Sequence, residues 1–227
     1  MSKTYNGWEL DSFDKAKNFR KYQFEIISKY IRGETAEVGA GTGLNVKYYI
    51  KNAKRLNIFE PSKKLFKILE ANLNNSKIFK FNKIFNLQKN KYDTIIYLDV
   101  IEHIKNDKIE VLKAFKSLKK NGHLIINVPA FQFLYSQFDR EVGHFKRYNE
   151  KDFIKMFYNV NYSKIIFKKY DILGFILSFI SKILNTNVKK NFSQKIWFWN
   201  LLIPMSKIID KITFNLLGKS LLIIIKK

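Results

Sequence analysis

From residue 15 to residue 30 the apolar positions Phe19, Tyr22, Phe24, Ile26, Ile27 and Tyr30 recur at mixed three- and four-residue intervals, the spacing of an amphipathic helix. Beyond it, short apolar runs alternate with helical stretches. The runs at 35–38, 56–59, 78–81, 92–98 and 123–128 predict strands, and 44–50, 62–73 and 109–118 predict helices. Strand alternating with helix implies a parallel sheet covered on both faces. The runs TIIYL at 94–98 and LIINV at 124–128 are apolar on both alternating faces, as central parallel strands must be, and Asn121-Gly122 is a turn feeding the second.

After Tyr170 the chain turns rich in Phe, Ile, Leu and Trp up to Leu217. The longest uninterrupted apolar block, at 172–180, is about half the ~20 residues a membrane span requires, and Lys182 would interrupt any longer one. Two amphipathic helices are predicted instead. In the first, Leu173, Ile176, Leu177, Ile180, Ile183 and Leu184 share one face, opposite Gly174, Ser178, Ser181 and Asn185. The second is expected to start at Pro204, with Met205, Ile208, Ile209, Ile212 and Leu216 inward and Lys207, Asp210 and Lys211 outward. Gly218 ends it, and 220–225 reads as a last strand.

Two segments carry chemistry. Glu37-Val-Gly-Ala-Gly-Thr-Gly43 follows a predicted strand and precedes a predicted helix, where glycines let the backbone approach a ligand closely. The spacing is not that of a dinucleotide fingerprint, and a carboxylate at the strand end would repel a pyrophosphate, so the ligand should present a cation or hydroxyl donors. Glu60 ends the next strand, 19 residues beyond Gly41, where an acid can accept hydrogen bonds from both hydroxyls of a ribose. The alternative for Glu60 is to cap the helix that follows Pro61-Ser62.

These residues, together with Tyr92-Asp-Thr-Ile-Ile-Tyr-Leu-Asp-Val-Ile-Glu-His-Ile104, resemble the class I S-adenosylmethionine-dependent methyltransferases, in particular those with a D-V-x-E-H signature after the fourth strand. The resemblance runs from about residue 34 to 148 and resumes at 218–226. It implies an α/β, Rossmann-like, seven-stranded and mostly parallel sheet with helices on both faces. The N-terminal helix forms a cap at 1–33, the cofactor-binding core spans 34–170, an apolar helical insertion occupies 171–217, and the last, antiparallel strand of the core lies at 218–227. It further implies S-adenosylmethionine as cofactor. Glu37, Gly39, Ala40, Gly41 and Gly43 would line its methionine part, Glu60 the ribose, Asp99 and Val100 the methionine end, and Pro61, Ile84 and Phe85 the adenine. The chain departs from the family in having Ala36 where a larger aliphatic is common and no acid within 81–87.

The segment Asp139-Arg-Glu-Val-Gly-His-Phe-Lys-Arg-Tyr148 resembles a D-x-x-x-G-H-x-R-R-Y loop of one methyltransferase subgroup, with Lys146 replacing the first Arg. His144 can take a proton from a hydroxyl near neutral pH and Arg147 can clamp an anion, which makes Asp139, Arg147 and Tyr148 candidates for acceptor binding. Equally, His144 and Arg147 could bind Asp139 or Glu141 to hold the loop. His103, near the methyl by the resemblance, is the second candidate base. No metal site is expected.

The chain has 42 Lys and Arg against 19 Asp and Glu, a formal net charge of +23. Only five of the basic residues are Arg, and the Lys excess accompanies many Asn, Ile and Phe, so biased codon usage explains it better than nucleic-acid reading. Nucleic acid is therefore not the expected partner, and no N-P-P-Y-like tetrapeptide replaces Asp99–Glu102. The absence of cysteine excludes thiol nucleophiles and disulfides. An N-terminus without an apolar signal region leads to the expectation of a cytoplasmic protein, with a small-molecule, glycan or lipid-linked acceptor. The 171–217 segment has three readings. It is a surface resting on anionic membrane through Lys168, Lys169, Lys182, Lys189, Lys190 and Lys195, a lid over the acceptor, or a dimer contact.

Overall fold

The structure, a computed structural model, describes residues 7–186 and 189–227; the first six residues of the expected N-terminal cap and residues 187–188 of the apolar insertion lie outside them. Seven strands, β1 (Gly33–Val38), β2 (Ala53–Phe59), β3 (Ile78–Phe81), β4 (Tyr92–Leu98), β5 (Leu118–Pro129), β6 (Lys164–Tyr170) and β7 (Ser220–Lys226), form one sheet in the order β3-β2-β1-β4-β5-β7-β6. β7 is antiparallel to both its neighbours and the other pairings are parallel. The Asn121-Gly122 turn sits inside β5, with Asn121 at φ +64.

The helices are α1 (Leu10–Asp14), α2 (Lys17–Ile27), α3 (Lys63–Asn72), α4 (Asp107–Ser117), α5 (Gln137–Val142), α6 (Glu150–Met156), α7 (Ile172–Ile183) and α8 (Phe192–Ile212). The helix expected at 44–50 is no more than a 3-10 turn at Val46–Tyr48, entered through the positive-φ glycines 39, 41 and 43.

Period-two alternation assigns each central strand's side chains to two cores. Ile95, Tyr97, Leu124, Ile126, Ile223 and Ile225 pack on one face with α4 and α6. Ile96, Leu98, Ile125, Leu222 and Ile224 pack on the other with Phe19, Tyr22, Phe24 and Ile27 of α2 and Trp199 and Ile203 of α8. This two-sided burial is why the central strands are apolar at consecutive positions.

The insertion departs from the expectation. α8 does not start at Pro204 but runs through it. Proline removes one intrahelical donor, which frees the carbonyl four residues back. That carbonyl, on Asn200, accepts the Asn18 side-chain amide at 3.1 Å, while Asn200 Oδ1 accepts the backbone N–H groups of Asn18 and Phe19 at the start of α2.

Both helix faces also depart in part from the helical-wheel reading, although Leu177 packs on the core and Asn185 and Lys211 are exposed as that reading has them. Gly174 is buried and Ile176, Ile180, Ile183 and Leu184 are exposed; Ser206 and Asp210 are fully buried and Met205, Ile208, Ile212 and Leu216 are exposed. The cause is a polar knot at the base of the two helices. Asp171 accepts the Gly174 N–H, the Trp199 indole N–H at 2.7 Å and the Ser206 hydroxyl. Asp210 accepts the N–H groups of Asp171 and Ile172 and the Tyr22 hydroxyl. Orphan donors at the start of α7 need acceptors, and supplying them from α8 brings Ser206 and Asp210 inward beside the apolar Ile196, Trp199 and Ile203.

Candidate functional site

In the sheet order, β1 lies beside β4 although the chain visits β2 and β3 between them, so the β1/β4 boundary is the switch point where open α/β sheets bind ligands beyond their carboxyl ends. Gly39–Thr42, Glu60 and Asp99 follow the ends of β1, β2 and β4 there. They border a cleft of about 1130 Å³, counting its open mouth, together with Ala40, Val100, Glu102, His103, His144, Arg147 and, from the N-terminal helices, Leu10, Phe13 and Arg20.

The glycine loop is shaped for close approach. Gly41 has φ +60, and a Cβ placed there would meet no protein atom closer than Leu10 Cδ1 at 3.6 Å, so a side chain would occupy ligand space. Gly43 has another job: a Cβ there would strike Leu73 and Leu69, so this glycine seats α3, and it does not border the cleft.

Glu60 is buried, and its carboxylate accepts the Gly41 N–H at 2.9 Å and the Ser62 N–H at 2.8 Å. Burial raises its pKa, opposed by those two bonds. Each oxygen retains a lone pair, so the capping and ligand-binding readings of Glu60 are compatible. Asp99, at φ +57, keeps 42% of its side chain exposed, accepts from Asn127 Nδ2 at 2.7 Å and lies 3.8 Å from Arg20 Nη1. Arg20 was invisible in the sequence as a site residue. It sits on the buried face of α2, where a charge is costly, and its Nε has no protein partner.

Across the cleft lies the 139–148 loop, which Asp139 organises. α5 begins at a capping box in which Asp139 accepts the Ser136 N–H, and ends at Gly143 in the left-handed conformation. Asp139, not Glu141, takes both loop partners: His144 Nδ1 at 2.8 Å and Arg147 Nε at 2.9 and 3.0 Å. Burial alone would raise the Asp139 carboxyl, but the His144 hydrogen bond and the Arg147 guanidinium prevail and hold its pKa at about 2. An ionised carboxylate only accepts, so His144 Nδ1 carries the proton and Nε2 is left with the basic lone pair. Nε2 lies 3.8 Å from Glu102 Oε1.

Glu102 is fully enclosed, and burial followed by the nearby Asp99 and Asp139 charges pushes its pKa well up. The His103 ring is 4.7 Å from that of His144, and burial above all pushes its pKa down to about 3. Such a ring is a poor proton acceptor near neutral pH.

Other residues expected at the site are placed elsewhere. Glu37 does not border the cleft; Tyr49 donates its hydroxyl to the Glu37 carboxylate, whose pKa burial pushes up to about 7. Phe85 is buried in the core with its ring 5.1 Å from Phe59, Ile84 is 63% exposed, and neither they nor Pro61 border the cleft. Tyr148 is a core residue whose hydroxyl donates to Asp107 at 2.9 Å. Asp139 itself is fully buried behind His144 and Arg147 and holds them in place.

A second cavity, about 1510 Å³ with its mouth, adjoins the first. It shares Phe13, Phe138, Arg147, Trp199 and Lys219 with the cleft and is otherwise walled by α5, α7 and α8, including Leu177, Ile180, Ile196 and Phe198. No sequence pattern pointed to Lys219, which lies in the turn before β7.

The depressed Asp139 carboxyl has a sign that can be checked. A group whose folded pKa lies below its ordinary value of 3.8 stabilises the fold above that value and loses its contribution as pH falls toward 2. The wild type should therefore lose ~2 kcal/mol more stability than Asp139→Asn between pH 5 and pH 2, read from urea midpoints. Parallel curves for the two proteins would dismiss the pairing. Glu37, raised to about 7, contributes with the opposite sign, its stabilisation being lost as pH rises through 7. It acts in both proteins and cancels from the comparison.

A family model described as a methyltransferase domain matches residues 31–165. Among solved structures, a SAM-dependent methyltransferase from Archaeoglobus fulgidus superposes with a TM-score of 0.58 at 13% identity, covering 94% of each chain. Phosphoethanolamine N-methyltransferase 2 of Haemonchus contortus gives 0.66 at 12% identity over 98% of this chain and 58% of that one. The N-methyltransferase NodS of Bradyrhizobium japonicum gives 0.57 at 12% identity over 94% of this chain and 88% of that one. No curated protein matches the sequence.

Proposed function

The chain belongs to the methyltransferase-domain family and is an S-adenosylmethionine-dependent methyltransferase, and we propose that it methylates a lipid-linked acceptor at the surface of an anionic membrane. The observation that carries the acceptor reading is the exposed apolar stripe of the insertion. On α8, Trp197, Leu201, Met205, Ile208 and Ile212 form one stripe at spacings of four, four, three and four, each at least half exposed. On α7 and its C-cap, Ile176, Phe179, Ile180, Ile183 and Leu184 are exposed as well. A contiguous apolar face of this kind is a surface for a lipid or protein partner, not a solvated one. No helix among the described residues is long and apolar enough to cross a membrane, so the face suits lying on one.

The exposed Lys195 and Lys211 flank the stripe, and the surplus of positive charge favours anionic headgroups. Of the lysines expected there, Lys169 instead pairs with Glu150, Lys182 donates to the Phe133 carbonyl and Lys189 pairs with Glu141. The second cavity opens between the same two helices, giving an apolar chain a route from that surface to the cleft.

The cleft fits the cofactor. A glycine cradle, a buried carboxylate with free lone pairs, an exposed carboxylate and a buried guanidinium with an orphaned Nε match a ligand carrying a diol, an ammonium and a carboxylate. Glu60 would hold the ribose hydroxyls, Asp99 the ammonium and Arg20 the carboxylate. When bound, the cofactor supplies a methyl group already activated by its sulfonium. What remains for the protein is orientation, which can contribute up to ~7–11 kcal/mol, and removal of a proton from a hydroxyl acceptor. His144 Nε2, its tautomer set by Asp139, is the base.

The test uses purified protein, vesicles and labelled methyl donor. The protein should co-sediment with phosphatidylglycerol vesicles at low salt, and among lipid, glycan and RNA fractions the lipid should take up label. Burying a Trp or Leu side chain is worth ~1.5–3 kcal/mol, so Trp197→Ser with Leu201→Ser should weaken vesicle binding by at least about ten-fold. Failure of the wild type to co-sediment, or label only in RNA, would defeat the acceptor reading.

A further inference from the structure

We infer that the junction of the two cavities is an oxyanion-binding subsite, built from Arg147 and Lys219, which receives a phosphate or carboxylate group of the acceptor. The inference rests on the proposed acceptor route and specifies the chemistry the acceptor must carry next to the methylated atom.

Arg147 is 5% exposed and borders both cavities. Its Nε is committed to Asp139, but its Nη1 is buried without any hydrogen-bond partner. A buried guanidinium N–H with no acceptor costs on the order of 1–3 kcal/mol or more, a cost that a ligand oxygen would remove. Lys219 borders the same two cavities and makes no ion pair among the described residues. Its ammonium lies 4.1 Å from the centre of the Trp199 ring and 5.6 Å from that of Phe13, between aromatic walls.

The nearby acids have other partners. Asp139 accepts from His144, Arg147 and the Ser136 N–H, and Asp171 from the Gly174 N–H, the Trp199 indole and the Ser206 hydroxyl; the Asp171 charge offsets part of the burial of the Lys219 ammonium but forms no ion pair with it. Arg147 Nη1, without a hydrogen-bond partner, and the Lys219 ammonium, without an ion pair among the described residues, thus border one junction. Arg20 is not part of this set: it faces Asp99.

On one side of the junction is the His144 base and on the other the apolar passage between α7 and α8. An acceptor seated there would hold its oxyanion at Arg147 and Lys219, its chain toward α7 and α8, and the hydroxyl to be methylated toward His144. Full desolvation of the two cations would make this anion a condition of binding, since a neutral analogue would leave them unpaired.

The experiment uses the full chain saturated with S-adenosylhomocysteine and carrying Trp8→Phe and Trp197→Phe, so that Trp199 is the sole indole and reports on Lys219. Octyl phosphate, octanoate, octanol and inorganic phosphate are titrated below micellar concentration. Octyl phosphate or octanoate should bind at least about ten-fold tighter than octanol, as expected for a charge-assisted contact. Lys219→Met should remove most of that preference and leave octanol and S-adenosylhomocysteine affinity unchanged; Arg147→Lys should reduce it without unfolding the loop.

The two octyl anions identify whether the group is a phosphate or a carboxylate. Equal affinity for the anions and octanol would overturn the subsite. If inorganic phosphate binds as tightly as octyl phosphate and Lys219→Met abolishes both, the subsite stands and the lipid-linked acceptor falls. Loss of S-adenosylhomocysteine binding in the parent protein would instead refute the cofactor assignment.

Discussion

Replacing His144 by Ala should lower kcat by about 10²–10⁴ with the acceptor that takes up label, while leaving cofactor affinity essentially unchanged. The size follows from what the geometry leaves at the site. Asp139 is ionised and can only accept, so its 2.8 Å contact with Nδ1 forces the proton onto that nitrogen and turns a basic Nε2 toward the cleft. Glu102 is 3.8 Å away, and burial, followed by its acidic neighbours, pushes its pKa well up while its enclosure keeps it from an acceptor. His103 is held near a pKa of about 3 by burial. Its replacement by Gln should therefore cost much less than that of His144, and this ordering is the sharper test. Asp139→Asn should reproduce most of the His144→Ala loss, because an amide can donate to Nδ1 and so select the wrong tautomer. Undiminished turnover in His144→Ala would exclude it as the base.

The largest effect on stability is expected at Asp210. It is fully buried on α8 and accepts the Asp171 N–H at 2.7 Å, the Ile172 N–H at 3.0 Å and the Tyr22 hydroxyl at 2.8 Å. One carboxylate thus closes the start of α7 and ties the insertion to α2. Removing it leaves three buried donors without acceptors, each worth ~1–3 kcal/mol, so Asp210→Ala should lower the unfolding free energy by about 3–5 kcal/mol. Asp210→Asn keeps one carbonyl acceptor and should cost less than half as much. Chemical denaturation monitored by indole fluorescence reads both. If the Ala variant loses no more than an exposed substitution does, the polar knot is not what fixes the insertion.

The faces of α7 and α8 show why a helical wheel is insufficient here. The wheel assumes that the apolar side of an amphipathic helix faces the core. In this chain the inward side carries Gly174, Ser206 and Asp210 along with the apolar Ile196, Trp199 and Ile203, and Asp171 supports it from the turn before α7. Whether a carboxylate can be buried depends on donors from distant segments, Tyr22 being 188 residues from Asp210. Arg20 escaped notice for the same reason. On its own helix it is a charge on a buried face, and only the arrival of Asp99 and the glycine loop makes it part of a cleft. Phe85, expected against adenine, is claimed instead by the Phe59 and Tyr92 rings in the core, a competition that cannot be weighed along the chain.

What the sequence determined by itself was whatever local pattern encodes. The alternation of apolar strands with helices sets a parallel sheet, because only strands buried on both faces are apolar at consecutive positions. The glycines at 39 and 41, Glu60 and Asp99 mark its ligand-binding edge, because chain direction places all strand ends of a parallel sheet on one side. Tertiary structure alone decided the rest. It chose Asp139 as the partner of both His144 and Arg147, withdrew Glu37 and Tyr148 into the interior, left Arg147 and Lys219 with donors to spare, and turned an apolar stripe of the insertion outward. Each of these depends on which donor meets which acceptor across the fold. In a low-dielectric interior that pairing outweighs the pattern of any single helix.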